Sequence, residues 1–280
     1  MTLPAFAQPA SSLFTRSIPS TGELLPAVGL GTAAVFDTAD VATLQSARAV
    51  VRALIDNGGK LIDTASTYGD AERILGEVIG PAGLRGKLFI ATKLESSDVE
   101  ELKRSLNRLQ TAKLDLLQLH NVRNPQQSLG AFRDWKAQGV CRYIGVTSTS
   151  HGAFAAVEGI LAREKPDFVQ IDYSIDDREA EQRILPLAAE AKAGVLTALP
   201  FGRGRLFRTV RDRPLPDWAQ SFSGSWAQFF LKYLLGDPRV TAVIPGTADA
   251  GHMVDNLGAM RGPLPDPDQR RQMVKFIESL

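Results

Sequence analysis

Four polar side chains that could act together lie where predicted strands of the chain end. Asp63 ends a short apolar strand, and Tyr68 follows five residues later in a loop. Lys93 and His120 end the next two predicted strands. Because the carboxyl ends of parallel strands gather on one face of a β/α barrel, we expect these four side chains to meet there.

The four residue types suit the reduction of a carbonyl group. An aldehyde or ketone that accepts hydride develops negative charge on its oxygen and needs a proton donor within ~2.6–3.2 Å. A phenol with an ordinary pKa of ~10 is a poor acid at neutral pH, and a neighbouring ammonium group makes it a better one. We therefore predict Tyr68 as the acid, Lys93 as the group that tunes it, Asp63 as the anchor of the lysine and His120 as a hydrogen-bond donor to the carbonyl oxygen.

Each of these residues alone has a simpler interpretation. A lysine at a strand end is usually a solvated charge, an aspartate there usually caps a turn, and a histidine among leucines is usually a core residue. The four together, from three neighbouring strands and one connecting loop, favour the catalytic interpretation.

These residues lie in a chain whose predicted strands and helices alternate. Eight strands are predicted, at residues 27–31, 60–65, 87–93, 114–120, 143–148, 167–173, 194–200 and 240–245. Helical patterns occur at residues 46–57, 71–79, 99–109, 126–138, 152–163, 178–192, 217–235, 250–260 and 267–277, and Ser97 with Glu100 is predicted to cap the third of these. Eight alternating units favour an α/β fold of the (β/α)8 TIM barrel type, with a doubly wound open sheet as the alternative.

The chain before the barrel divides into two short parts. An alternating pattern around Ser20–Glu23 predicts an N-terminal β-hairpin within residues 13–26. We predict residues 13–280 as a single domain and residues 1–12 as a disordered leader. The leader has an Ala-x-Ala motif but lacks the basic and apolar segments of a signal peptide. A cytoplasmic location is predicted, with the periplasm as the alternative if an upstream export signal has been removed.

Composition excludes several classes of protein. The net charge of +1 gives no basis for binding nucleic acid or an anionic membrane, and no run approaches the ~18–20 apolar residues of a membrane span. The single cysteine, Cys141, excludes an intrachain disulfide framework and is predicted as a small buried residue. The three histidines are scattered without metal-ligand spacing, so no metal site is predicted.

Several motifs resemble those of the aldo-keto reductase superfamily over nearly the whole chain. The segment Asp63-Thr64-Ala65-x-x-Tyr68-Gly69 resembles the motif after the family's second strand, and Ala91-Thr92-Lys93 and Leu119-His120 resemble its next strand ends. Further likenesses lie at residues 29–32, 144–148, 169–173, 200–204, 244–247 and 255–259.

The resemblance implies a (β/α)8 barrel that binds NADPH without a Rossmann fold. In the family, the ends of strands five and six hold the nicotinamide, the loop after strand seven approaches the pyrophosphate, and the region after strand eight binds the adenosine. The implied cofactor contacts are Gly31, Thr32, Thr147, Ser148, Gln170, Pro200, Gly202, Arg203, Gly246, Thr247, His252, Asp255 and Asn256.

Two departures from the family's pattern concern the cofactor. Ala198 occupies the position where a tyrosine usually stacks on the nicotinamide, so this stacking face is predicted to be either lost or supplied by Phe201. Gly246 and His252 occupy positions where many members place a lysine and an arginine around the ribose 2′-phosphate. Histidine binds phosphate more weakly than a bidentate arginine, so NADPH is predicted with NADH as an alternative.

The substrate side is predicted to be open. The loops are short, and Ala33 replaces a frequent aromatic, which makes Phe36 the nearest predicted pocket aromatic. We predict a reductase for small aldehydes or ketones, reversible as an alcohol dehydrogenase, in a monomer or weak oligomer. The alternatives are a cofactor-binding sensor or regulatory protein with little turnover, and a barrel enzyme that uses Lys93 as a Schiff-base amine.

Overall fold

The computed structural model describes residues 13–280, and the predicted leader lies outside the described residues. A hairpin of β1 (Thr15–Ser17) and β2 (Leu24–Pro26) comes first, with its strands antiparallel. Eight parallel strands follow: β3 (Leu30–Gly31), β4 (Leu61–Asp63), β5 (Phe89–Leu94), β6 (Leu114–His120), β7 (Cys141–Ser148), β8 (Phe168–Asp172), β9 (Gly194–Ala198) and β10 (Ala242–Val243). The strands are ordered as they occur in the chain.

Bridges between the first and last strands close the sheet. Val28 pairs with Val243 and Gly31 with Gly246, both in parallel, and the Gly31 N–H donates to the Pro245 carbonyl at 3.0 Å. The backbones approach so closely that a Cβ on Gly31 would lie 2.8 Å from the Ile244 carbonyl oxygen. The predicted (β/α)8 barrel with an N-terminal hairpin is confirmed.

Helices lie between the strands and after the last one. They are α1 (Val41–Asp56), α2 (Ala71–Ile79), α3 (Val99–Arg108), α4 (Pro125–Ala137), α5 (Phe154–Glu164), α6 (Glu179–Glu190), α7 (Arg205–Thr209), α8 (Trp226–Leu235), α9 (Ala250–Gly258) and α10 (Pro267–Glu278). Within residues 13–280, none of them combines the length and the apolarity that a bilayer crossing requires.

Several helix boundaries differ from the sequence prediction. Helix α1 begins at Val41 and not at residue 46, because the Asp40 side chain caps it. The cap of α3 is Asp98, whose carboxylate accepts from the Glu100 N–H at 2.9 Å, so the predicted Ser97 cap is wrong. The pattern predicted as one helix over 217–235 contains a 3-10 turn at Asp217–Ala219 and then α8, because Ser225 caps a new helix through the Gln228 N–H. A helical periodicity does not reveal such an interruption.

The barrel interior has an apolar floor and a polar upper layer. Side chains alternate in and out along a strand, so residues two apart share a face. The floor is an apolar cluster that includes Leu61, Phe89, Leu116 and Phe168, with hairpin residue Leu25 packed beneath them. Two residues further along each of these four strands come Asp63, Ala91, Gln118 and Gln170, and another two along β5 comes Lys93. The alternation therefore places the polar side chains above the floor, toward the carboxyl ends.

Candidate active site

Asp63 and Lys93 form a buried ion pair in this polar layer. The Lys93 Nζ lies 2.6 Å from the Asp63 Oδ2, and the two side chains are 1% and 3% exposed. The ammonium also donates to the Thr64 carbonyl at 2.8 Å. Burial acts to lower the pKa of Lys93, but the charges and hydrogen bonds of Asp63 and Tyr68 outweigh it, so the pKa lies above its ordinary value. The lysine is therefore a permanent buried cation.

Tyr68 lies directly against this cation. The Lys93 Nζ is 4.8 Å from the centroid of the Tyr68 ring. The ring also meets His120 edge to face, with a centroid distance of 5.9 Å and an interplanar angle of 79°. The structure thus brings together the four side chains that the sequence predicted.

His120 has an acidic neighbour that the sequence prediction missed. The Glu95 Oε1 lies 2.5 Å from the His120 Nδ1, and the Thr67 hydroxyl is 3.4 Å from the same nitrogen. Burial lowers the pKa of His120, Lys93 lowers it further, and Glu95 opposes both without reversing the direction. The imidazole is therefore neutral at neutral pH.

Gln118 is a second missed residue of the site. Its Nε2 donates to the Asp63 Oδ1 at 3.3 Å and to the Gln170 Oε1 at 2.7 Å. The Gln170 Nε2 in turn donates to the Asp63 Oδ2 at 3.2 Å. The carboxylate thus accepts hydrogen bonds from two amides as well as the ammonium group, and the amide pair connects Asp63 to the opposite side of the barrel.

Strand periodicity held a signal for both missed residues. Glu95 lies two residues after Lys93, and Gln118 lies two residues before His120. Since residues two apart on a strand share a face, both were due on the inner face beside the predicted catalytic residues.

A cavity of about 540 Å³ opens above the polar layer. Asp63, Tyr68 and His120 reach it, whereas Lys93 does not line it and lies buried. The predicted cofactor contacts that line this cavity are Gly31, Thr147, Gln170, Pro200, Arg203 and Gly246. Thr32, Ser148 and Gly202 do not line it.

A second cavity of about 420 Å³ adjoins the first. Four further predicted cofactor contacts line it, namely Thr247, His252, Asp255 and Asn256. Phe201 and Gly246 line both cavities, so the two spaces form one elongated site. Phe201 thus borders the site, and its stacking on the cofactor stays a prediction. The prediction for Phe36 is wrong, because that ring is fully buried in the core outside the barrel and leaves Ala33, Ala34 and Val35 to line the cavity.

A cluster of ionisable groups lies near the end of β8. His151 pairs with Asp177 through Nε2 at 3.0 Å and with Glu179 through Nδ1 at 3.1 Å. Potential ligand atoms of His151, Asp172 and Asp177 all lie within 4.8 Å of one another. Sequence spacing could not predict this grouping, because the three residues meet only after the strand and its loop fold. Both imidazole nitrogens already lie against carboxylates, at 3.0 and 3.1 Å.

Comparisons with known proteins agree with this geometry. A model of the aldo/keto reductase family matches residues 27–276. The methylglyoxal reductase YeaE of Escherichia coli strain K12 is 27% identical over 248 residues, which are 84% of this chain and 86% of that protein. A structure of an aldo-keto reductase from Klebsiella pneumoniae in complex with NADPH is 26% identical, with a TM-score of 0.76 over 95% of this chain and 96% of that one. The aldo-keto reductase AKR11C1 from Bacillus halodurans, at 23% identity and a TM-score of 0.78 over 95% and 96% of the two chains, shares the fold.

Proposed function

The chain belongs to the aldo/keto reductase family, and from that membership we propose that it reduces small aldehydes or ketones with NADPH, with Tyr68 as the proton donor. It is an NAD(P)-dependent oxidoreductase. The observation that carries the proposal is the fully buried Lys93 ammonium 4.8 Å from the Tyr68 ring, paired at 2.6 Å with Asp63 beneath the cavity.

The elongated site suits a dinucleotide cofactor. Its two parts, about 540 and 420 Å³, join at Phe201 and Gly246, which gives room for a ligand with two ring systems and a narrow link. The Gln170 amide and the Thr147 hydroxyl group border the part nearest Tyr68 and would hold the nicotinamide end. Asn256 and Thr247 border the other part and would hold the adenosine end. NADPH is proposed because the Klebsiella pneumoniae relative binds it, and NADH is the alternative.

The bound cofactor would supply hydride to the carbonyl carbon. The chain's own residues would handle the proton and the charge. As the new C–H bond forms, the carbonyl oxygen takes the phenolic proton of Tyr68, and the resulting phenolate is stabilised by the adjacent Lys93 ammonium. Asp63 keeps that ammonium in place throughout. In the opposite direction the phenolate would accept the proton of an alcohol.

A hydride-transfer assay tests the proposal. The loss of reduced-nicotinamide absorbance is followed with an activated aromatic aldehyde, for wild type and Tyr68→Phe. We expect the variant to lose ~10²–10⁴-fold in kcat, the usual contribution of a positioned acid. The matched control is Tyr143→Phe, which removes the hydroxyl group of another tyrosine, one that bonds Glu23 and Thr21 at the other end of the barrel.

Cofactor titration by fluorescence quenching completes the design. Tyr68→Phe should bind NADPH as tightly as wild type, which shows that its loss is chemical, and the same titration with NADH measures the preference. Equal turnover in wild type and Tyr68→Phe would exclude Tyr68 as the acid. Tight cofactor binding with negligible turnover in wild type would favour the sensor alternative.

A further inference from the structure

Glu101 is the third residue of helix α3, and its side chain does not cap that helix. A glutamate at this position often accepts from the backbone N–H of the cap residue, which here is Asp98. That N–H instead donates to the Ser96 hydroxyl group at 3.2 Å. The Glu101 carboxylate is therefore available for contacts outside the helix.

The Glu101 carboxylate joins two segments that follow neighbouring strands. Its Oε1 accepts from the Ser66 hydroxyl group at 2.7 Å and from the Glu95 N–H at 3.0 Å. Ser66 lies in the loop after β4, two residues before Tyr68. Glu95 directly follows β5 and lies two residues after Lys93. One carboxylate oxygen thus connects the loop of the proposed acid to the strand of the buried ammonium group.

The loop that carries Tyr68 is anchored on both sides of this residue. On one side the Asp70 N–H donates to the Asp37 carbonyl at 3.1 Å. On the other side the Ser66 N–H donates to a carbonyl of β5 at 3.0 Å, and the Ser66 hydroxyl group donates to Glu101. Only one residue separates Ser66 from Tyr68, so a shift at this anchor moves the phenol.

We propose that Glu101 is a positioning residue which, through its two hydrogen bonds, holds the phenol of Tyr68 against the Lys93 ammonium. This inference rests on the proposed function, in which Tyr68 is the acid. The Lys93 Nζ lies 4.8 Å from the centroid of the Tyr68 ring, and a charge interaction weakens as the two groups separate. Glu101 is not among the residues that line the large cavity, so it acts through the residues that it holds.

The kinetics of Glu101→Ala test this role. We expect kcat and kcat/KM for the aldehyde to fall together by ~10–10²-fold, because a small displacement of the acid affects the transition state and not substrate binding. The dissociation constant of NADPH should stay unchanged. Glu101→Gln keeps an oxygen acceptor for both donors and should recover most of the activity. If Glu101→Ala fails to fold, Ser66→Ala, which removes only the hydroxyl donor, takes its place.

The matched control is Glu100→Ala, which removes the neighbouring carboxylate on the same helix. Glu100 pairs with Lys103, and both side chains are more than half exposed, at 64% and 62%. The control should therefore leave kcat unchanged. A loss in Glu100→Ala as large as in Glu101→Ala would overturn the inference, because it would trace the effect to the stability of α3.

The Tyr68→Phe background shows whether Glu101 acts through Tyr68. In that background the residue to be positioned has no hydroxyl group, so we expect Glu101→Ala to change the residual kcat by less than about twofold. A loss of the same size in both backgrounds would overturn the inference, since it would mean that Glu101 supports the site in general.

Fluorine NMR follows the tyrosine ring without turnover. The chain has four tyrosines, so protein labelled with 3-fluorotyrosine gives four resonances, and Tyr68→Phe identifies the relevant one. We expect Glu101→Ala to shift this resonance, Glu101→Gln to restore it, and the other three to stay in place. An unchanged Tyr68 resonance in Glu101→Ala overturns the inference.

The outcomes separate this inference from the proposed function. Equal turnover in wild type and Tyr68→Phe would refute the proposed acid, and the fluorine spectrum would still test whether Glu101 holds the ring. A large loss in Tyr68→Phe with unchanged kcat in Glu101→Ala overturns the positioning role and leaves the acid standing. Equal losses in Glu101→Gln and Glu101→Ala overturn it as well, because the two hydrogen bonds would then not be the cause.

Discussion

The buried pair of Asp63 and Lys93 allows a quantitative test of how the polar layer is held together. Asp63→Asn keeps the shape of the side chain and removes its charge. The Lys93 ammonium would still donate to the neutral Thr64 carbonyl at 2.8 Å, but it would have lost its charged partner. The Lys93 side chain is 1% exposed, so solvent could not replace that partner. Breaking a buried ion pair from one side costs about 3–5 kcal/mol of unfolding free energy, because the remaining charge has no partner.

Removing the positive member of the pair should cost less unfolding free energy. Lys93→Met leaves the Asp63 carboxylate, but Gln118 at 3.3 Å and Gln170 at 3.2 Å still donate to it. We expect a loss of about 2–3 kcal/mol, since hydrogen bonds offset part of the desolvation. In the double variant no unpaired charge is left, so its loss should be smaller than the sum of the two single losses by about 2 kcal/mol or more.

Urea unfolding followed by far-UV circular dichroism gives the four free energies by linear extrapolation. The coupling energy is the double loss minus the two single losses. Additivity within about 0.5 kcal/mol would refute the reasoning, because it would mean that neither charge depends on the other. A larger loss for Lys93→Met than for Asp63→Asn would show that the two amides do not support the carboxylate.

Two further predictions concern stability away from the cavity floor. Burial raises the pKa of Asp172 to about 6, and the nearby Asp177 carboxylate adds to the shift. The protein should therefore lose stability as pH rises from about 4 through about 6, because the Asp172 side chain becomes charged in that range. We expect Asp172→Asn to raise Tm at pH 7.5 and to leave Tm unchanged below about pH 4, and a gain that persists below pH 4 would contradict this account. Gly76→Ala should destabilise the protein, because the added Cβ would lie 2.0 Å from the Arg108 carbonyl oxygen. Gly130→Ala, on α4 with open space around it, should stabilise the protein by about 0.4–1 kcal/mol. Equal shifts of Tm in the two variants would refute the steric argument.

Much of the catalytic half of the site could be predicted from strand ends. Asp63, Lys93 and His120 follow runs of apolar residues, and the carboxyl ends of parallel strands converge by geometry. The order of the strands then needed no further information, because each strand pairs with the next along the chain. The identity of the acid followed from chemistry, since Tyr68 is the phenol nearest those ends. Its role stays a prediction.

The remaining contacts depend on side-chain positions that a pattern does not contain. Glu95 lies two residues after Lys93, so the alternation of β5 indicates the inner face for it. Its contact with His120, however, depends on the path of the loop after the strand. Phe36 looked like a pocket aromatic because of its place in the chain, yet burial in the outer core was more favourable for an apolar ring. Asp98 caps α3 in place of Ser97, a shift of one residue that composition could not decide.

The closure between β3 and β10 is a short junction, where the barrel should open more readily than in its middle. The strands β6 and β7 pair at six positions, whereas the closure is held by three backbone hydrogen bonds, from the Val243 N–H to Ala27, from the Gly29 N–H to Val243 and from the Gly31 N–H to Pro245. Native proteins open locally where backbone hydrogen bonds are sparse, and amides exchange with solvent fastest there. Gly31 and Gly246 belong both to this closure and to the wall of the large cavity. A molecule bound in the cavity would contact both strands of this junction, so its binding free energy would add to the free energy needed to separate them. Amide hydrogens of the junction should therefore exchange with solvent more slowly when the site is occupied.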